Sequence, residues 1–274
     1  MLRQHRLKTS SGFTLIELVV VIVITGIIAA IGGGLIVKPM TGYVDLSRRT
    51  RLVDQAEMAL RRMQRDIRHA LPNSIRISGD YLELIHSVDG GRYRANAVAA
   101  GQDSLDFTAA DNGFDVLGSL SIVPNATDHE VVVYNISSTG TSGNAYQSPA
   151  DNVAAVAASG SSFSYVAISQ SSAFANSSPY QRFFLIDGPV TYACEGNELY
   201  RYSGYSRSAT QAIPPIGGSK ALVAAGLGTG AVDCSFTYAS GTSQRAGLVT
   251  LQLALEEAGE RISLLHQVHV VNAP

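Results

Sequence analysis

The sequence predicts an α+β protein in which a long amino-terminal helix, membrane-spanning in its first half, precedes an antiparallel β-rich domain. Three observations predict it. Residues 13–37 are apolar or uncharged except for Glu17, residues 43–71 repeat apolar positions at three- and four-residue spacings, and short β-branched and aromatic runs recur after Pro72. The expected divisions are a basic leader (1–12), the membrane half of the helix (13–37), its amphipathic half (38–71) and a β-rich globular domain (72–274).

The 25 residues from Phe13 to Val37 extend about 37 Å as a helix, enough to cross a bilayer core of about 30 Å with some tilt. A secretory signal would have a shorter apolar core followed by a small-residue cleavage site, so the segment is expected to be retained. An ionised carboxylate costs on the order of 2.5 to 3.5 kcal/mol at the middle of a membrane helix and less near its end. Glu17 therefore calls for a partner, either water and headgroups at the interface or a cation supplied by another subunit. Charge counting does not settle the orientation, because Arg3, Arg6 and Lys8 precede the span while Lys38, Arg48, Arg49 and Arg51 follow it.

In the next stretch Val53, Ala56, Leu60, Met63, Ile67 and Ala70 fall on one stripe, and Pro72 is expected to end the helix. If residues 13–71 formed a single helix, they would extend about 88 Å, with Gly32–Gly34, Pro39 and Gly42 the places to bend or fray. Seven arginines from Arg48 to Arg68 make this stretch basic. Asp45 with Arg49 and Glu57 with Arg61 sit at ion-pairing distance along a helix, which favours a solvated face over a nucleic-acid surface.

Strands are expected at 81–88, 130–136, 163–168, 182–186, 190–194, 198–202, 232–238, 248–255 and 262–271. The clean alternation of Leu248-Val249-Thr250-Leu251-Gln252-Leu253 suggests an antiparallel sheet with one buried face. Residues 256–260 form the loop between the last two strands, and Ser, Gly and Ala dominate 137–162, 169–178 and 203–219, which read as surface loops. Neither the helix nor the sheet can bury its apolar side alone, so the distal half of the helix is expected to lie on the sheet.

Catalytic patterns are missing from the sequence. It has no Gly-x-Ser-x-Gly, no His-Glu-x-x-His and no phosphate loop. Gly226-Leu227-Gly228-Thr229-Gly230 lacks the dinucleotide spacing and precedes a strand-like run, so it reads as a loop. His266 and His269 fall on opposite faces of a strand and cannot share a metal without a bulge. Asp111-Asn112-Gly113-Phe114-Asp115 places oxygen ligands around a turn but lacks the twelve-residue calcium loop, so a plain turn is expected. Neither a cofactor nor a small-molecule substrate is implied, and a formal net charge of -2 does not favour a polyanionic partner.

The string Gly12-Phe13-Thr14-Leu15-Ile16-Glu17 behind a basic leader resembles the prepilin motif of type IV pilins and type II secretion pseudopilins. The resemblance implies cleavage after Gly12 and methylation of Phe13 by prepilin peptidase, with Glu17 pairing with a neighbouring subunit's terminal amine. It further implies a type IV pilin-like fold without enzymatic activity, anchored in the inner membrane with a periplasmic carboxy-terminal domain and then carried into a filament or its tip. Partners would be other major and minor pilins, the inner-membrane assembly platform and the lipid bilayer. Residues 52–76 and the ending Leu-Leu-His-Gln-Val-His-Val-Val-Asn-Ala-Pro are similar to the MshO-type minor pilins of the mannose-sensitive haemagglutinin (MSHA) pilus. A J-type minor pseudopilin of type II secretion and a tip adhesin or DNA receptor are the alternatives. In an oxidising periplasm Cys194 and Cys234 would form one disulfide; the other reading is two unrelated buried thiols.

Overall fold

The computed structural model describes residues 12–230, 232–241 and 246–274, with side chains for all of these except 32–39 and 41. The chain divides into two compact units, the first ending at Thr50 and the second running from Arg51 to Pro274. One helix, α1 (Leu15–Arg68), supplies residues to both.

The backbone remains helical through Gly32–Gly34, Pro39 and Gly42, the places expected to bend or fray, so it does not fray there. A proline removes only its own N–H from the ladder, and hydrogen bonds continue on either side. Among the described residues no helix is long and apolar enough to cross a membrane. Within the expected span the described side chains of α1 run from Leu15 to Ile31, which is about 25 Å of helix against a core of about 30 Å. The rest of the expected 13–37 span, like the leader through residue 11, lies outside the described side chains.

In the second unit the strands are β1 (Arg76–Ser78), β2 (Tyr81–Arg92), β3 (Gly113–Asp115), β4 (Glu130–Val133), β5 (Val153–Val156), β6 (Tyr165–Ser169), β7 (Arg182–Glu195), β8 (Glu198–Ser203), β9 (Ser219–Ala225), β10 (Cys234–Ala239), β11 (Gly247–Glu257) and β12 (Glu260–Val270). The large antiparallel sheet runs β1-β2-β7-β4-β5-β6-β3, with β8 on β7 and β9 on β8; a second sheet runs β10-β11-β12. The two runs expected at 182–186 and 190–194 are one strand, β7. Its first half pairs with β4 and its second with β8. Asp187, Gly188 and Pro189 pair with neither, because Pro189 has no N–H and Gly188 adopts a positive φ.

One core gathers Leu52, Ala56, Ala59, Leu60, Met63 and Ile67 of α1 with Leu84, Tyr192, Leu251 and Val268 from both sheets. The buried stripe is offset from the expected one, since Val53 and Ala70 are only partly buried while Leu52 and Ala59 are enclosed. A second core, around Tyr93, Phe114, Phe174 and Phe183, holds the far side of the large sheet. Two polar clusters, partly to fully buried, tie neighbouring elements together. The Asp66 carboxylate of α1 accepts from Tyr192 Oη at 2.9 Å and Arg201 Nε at 2.7 Å. Glu83 accepts from Arg76 Nε at 2.6 Å and Tyr205 Oη at 3.0 Å.

The helix ends at Arg68, earlier than Pro72 would require. The Leu71 N–H donates to Ile85 O at 2.8 Å and Ser87 N–H to His69 O at 2.8 Å, so residues 69–71 have joined the edge of β2. The loop expected at 256–260 is a two-residue turn: Ala258 and Gly259 take φ of 50° and 84°, and β11 and β12 continue to Glu257 and Glu260 on either side. Strands β1, β3, β5 and β9 were not expected, and β5 lies within a stretch read as loop. Cys194 and Cys234 form a disulfide joining β7 to the start of β10.

Candidate functional site

The first turn of α1 shows how the amino-terminal motif folds. Thr14 precedes the helix and acts as its N-cap: its Oγ1 accepts the Glu17 N–H at 3.2 Å, and its carbonyl accepts the Leu18 N–H at 3.2 Å. Threonine followed three residues later by glutamate is a capping-box sequence, and the Glu17 carboxylate sits in the first turn, where the helix dipole favours negative charge. The Glu17 side chain is exposed, and among the described residues it has no side-chain partner. Phe13 and every described large apolar residue from Leu15 to Ile31 are exposed on all sides of the helix. A helix apolar all round is stable only when lipid or other helices cover it.

Further along α1, three of the seven arginines pair with acids of the chain in the described contacts. Arg48 reaches Asp45 at 3.1 Å, Arg61 reaches Glu57 at 2.8 Å, and Arg51 pairs with Glu257. Arg65 and Arg68 occupy the last turn, where cations suit the helix end. These pairs make part of the face ion-paired, as the spacing of Glu57 and Arg61 predicts. Arg201 is held above its ordinary pKa; burial pulls it down, and the hydrogen bond and charge of Asp66 outweigh that pull.

Elsewhere the candidate ligand positions resolve into structure. Gly113–Asp115 is strand β3, so the Asp111–Asp115 segment is only partly a turn. Asp111 accepts the N–H groups of Asp106 and Asn112 at 2.7 Å, and Asp115 takes Arg94 at 3.0 Å and the Asp103 N–H at 3.0 Å. Donors thus already face both carboxylates. The hydrogen bond from Asp103, with Arg94, depresses the Asp115 pKa despite partial burial. No group of three metal-ligating side chains occurs among the described residues. His266 is half-buried and His269 exposed, on opposite faces of β12.

The glycines at 226–230 wrap an acid instead of a ligand. A Cβ on Gly228 would lie 2.1 Å from Asp233 Oδ2, while the Gly230 N–H donates to that oxygen at 2.8 Å. Arg261 pairs with the same buried carboxylate. A groove of about 890 Å³ in the second unit lies between the end of α1 and β2, and Asp89 is the one carboxylate among its lining residues. Asp89 accepts from Gly90 N, Ser121 N and Oγ, and Ile122 N. Burial works to raise its pKa, but those hydrogen bonds outweigh it and the group stays ionised below the usual range. Its oxygens are taken up by the loop that carries Ser121 and Ile122, so it acts as a structural acid.

Sequence reasoning singled out Gly12, Phe13 and Glu17, which the structure places together at the capped start of α1. It missed the Asp66, Glu83 and Asp233 clusters. For Glu83 and Asp233 the available signal was an acid inside an apolar or glycine-containing run; Asp66, set among arginines, carried none.

Residues 7–33 match the family described as the prokaryotic N-terminal methylation motif. The match covers the capped turn, Glu17 and the exposed apolar residues. It supports a type IV pilin-like or pseudopilin protein: one processed by prepilin peptidase, membrane-anchored, assembled with other pilins, and structural in role. No curated protein and no solved structure matches the chain.

Proposed function

We propose that this chain is a minor pilin that helps to initiate and assemble an MSHA-type pilus. The observation that carries the reading is the uncovered apolar helix with a single unpaired acid, Glu17, in its first turn. Cleavage after Gly12 frees the amine of Phe13, which is then methylated. Glu17 of one subunit pairs with that terminal cation on its neighbour, setting subunit register while the apolar helices bury one another. The charge pair offsets the cost of placing either ion in an apolar core. Residues 13–37 hold the subunit in the inner membrane before assembly, and the β domain makes lateral contacts outside. The likeness of residues 52–76 and of the ending to MshO-type minor pilins supports the finer assignment.

Glu17→Ala is expected to reduce surface pili while leaving membrane insertion intact; normal piliation would count against the pairing role. Because pseudopilins share the motif, a deletion strain should be scored for both pili and secreted proteins. Scarce pili with intact secretion favours the minor pilin, whereas normal pili with blocked secretion assigns the chain to type II secretion.

A further inference from the structure

The sheet edges of the second unit differ in how they are closed. The ends of the large sheet, β1 and β3, are three residues each. The seven-residue edge strand β9 carries Lys220 and meets β8 through a bulge at Leu199/Tyr200. Short length, lysine and bulges all stop an edge from pairing with another chain. The eleven-residue β12 has none of these: it pairs with β11 without a register shift, and residues 262–271 contain no proline, lysine, arginine, aspartate or glutamate. Among the described residues only β11 pairs with it.

The register tells which backbone groups are open. Glu257 and Glu260 flank the two-residue turn and so exchange both of their hydrogen bonds. Alternation from that pair directs the N–H and C=O of Arg261, Ser263, Leu265, Gln267 and His269 away from β11. The same five residues are exposed, Leu265 to 62%. Beside this edge, Leu60, Leu264, Leu265, His266 and the Glu57–Arg61 ion pair line a notch of about 240 Å³.

We propose that β12 is an acceptor edge at which an uncharged, extended strand of a neighbouring pilin-like subunit extends the three-stranded sheet. This rests on the function proposed above. The open backbone groups of alternate residues supply the hydrogen-bond ladder, and the notch over Leu60 and Leu264 takes an apolar side chain of the incoming strand, fixing its register. Apart from Glu260 and Arg261 at its start, the latter paired with Asp233, the edge carries no charge, so a charged residue set opposite Leu265 would find no partner on this strand.

The test uses full-length chain in the cells that carry it, with Ser263→Pro, Ser263→Ala, Leu265→Lys and Glu17→Ala compared for surface pili. Ser263 points its N–H outward, where an edge strand tolerates proline. Ser263→Pro and Leu265→Lys are expected to lower pilus number roughly tenfold, the equilibrium equivalent of one lost ladder hydrogen bond, while Ser263→Ala does not. Normal pili in both disruptive variants, alongside a bald Glu17→Ala strain, would overturn the edge proposal and leave the pilin reading standing. Normal pili in all strains would remove both. Amide hydrogen exchange on the unmutated chain guards against misfolded variants. The Ser263, Leu265 and Gln267 amides should be protected in assembled pili and exchange freely in the detergent-solubilised subunit, and equal exchange in both would refute the added strand.

Discussion

Truncating Met63 to alanine probes the packing of α1 on the β sheets at a fully enclosed point. Met63 is 0% exposed and lies within the core shared by α1, β2, β7 and the β10-β11-β12 sheet. The mutation removes three heavy atoms from this core. Losing their transfer free energy and leaving a cavity costs about 2 to 5 kcal/mol for a buried methionine, and three elements hold the walls apart, so collapse into the gap is limited. A value near 3 kcal/mol would lower Tm by roughly 6 to 12 °C in a domain of this size. Met58, one turn away and 66% exposed, is the control, because alanine there removes no core contact and favours the helix slightly. Near-UV circular dichroism melts of the full-length chain in detergent would measure both. A Met63→Ala shift below about 2 °C, or one equal to that of Met58→Ala, would refute the claim that this face of α1 is part of the core.

Two further substitutions test the polar clusters. Arg76→Ala leaves Glu83 buried without its cation and is expected to cost about 3 to 5 kcal/mol, whereas adding Glu83→Gln should recover part of that loss; chemical denaturation of the single and double variants would show whether it does. The Asp89 pKa is depressed in the folded chain by its hydrogen bonds from Gly90, Ser121 and Ile122. Its contribution is therefore present above the ordinary carboxylate value and lost as pH falls through the lower folded value. Tm should accordingly drop less between pH 7 and pH 3 for Asp89→Asn than for the parent, and parallel pH profiles would contradict the assignment.

What the sequence discloses follows from how local each cause is. The capped start at Thr14 and Glu17 depends on residues three apart, so the motif carries its own geometry. Strand β11 announces itself because one buried face forces strict alternation over many residues. Strand β3 could not be found that way. Its three residues sit in an Asp-Asn-Gly run that favours a turn, and they are extended because of partners over fifty residues away in β6, where a Cβ on Gly113 would come within 2.3 Å of Tyr165 Oη. Likewise β5 is a short Val-Ala-Ala-Val run inside a Ser/Gly/Ala stretch, and it becomes a strand only because β4 and β6 flank it.

The open edge of β12 belongs to a third kind of property, one that no window of sequence contains. The alternation of Ile262 to Val270 predicts a strand equally well at the middle or the rim of a sheet. Its uncharged composition suits a covered strand, and the topology leaves it at the rim. At the other end of the chain, the apolar surface from Leu15 to Ile31 poses the same mismatch between composition and exposure. Burial in a membrane or filament core would relieve the mismatch of the helix, and the proposed neighbouring strand that of β12. Both mismatches fit the assembled state proposed for this chain, in which neighbouring subunits cover the helix and the open edge alike.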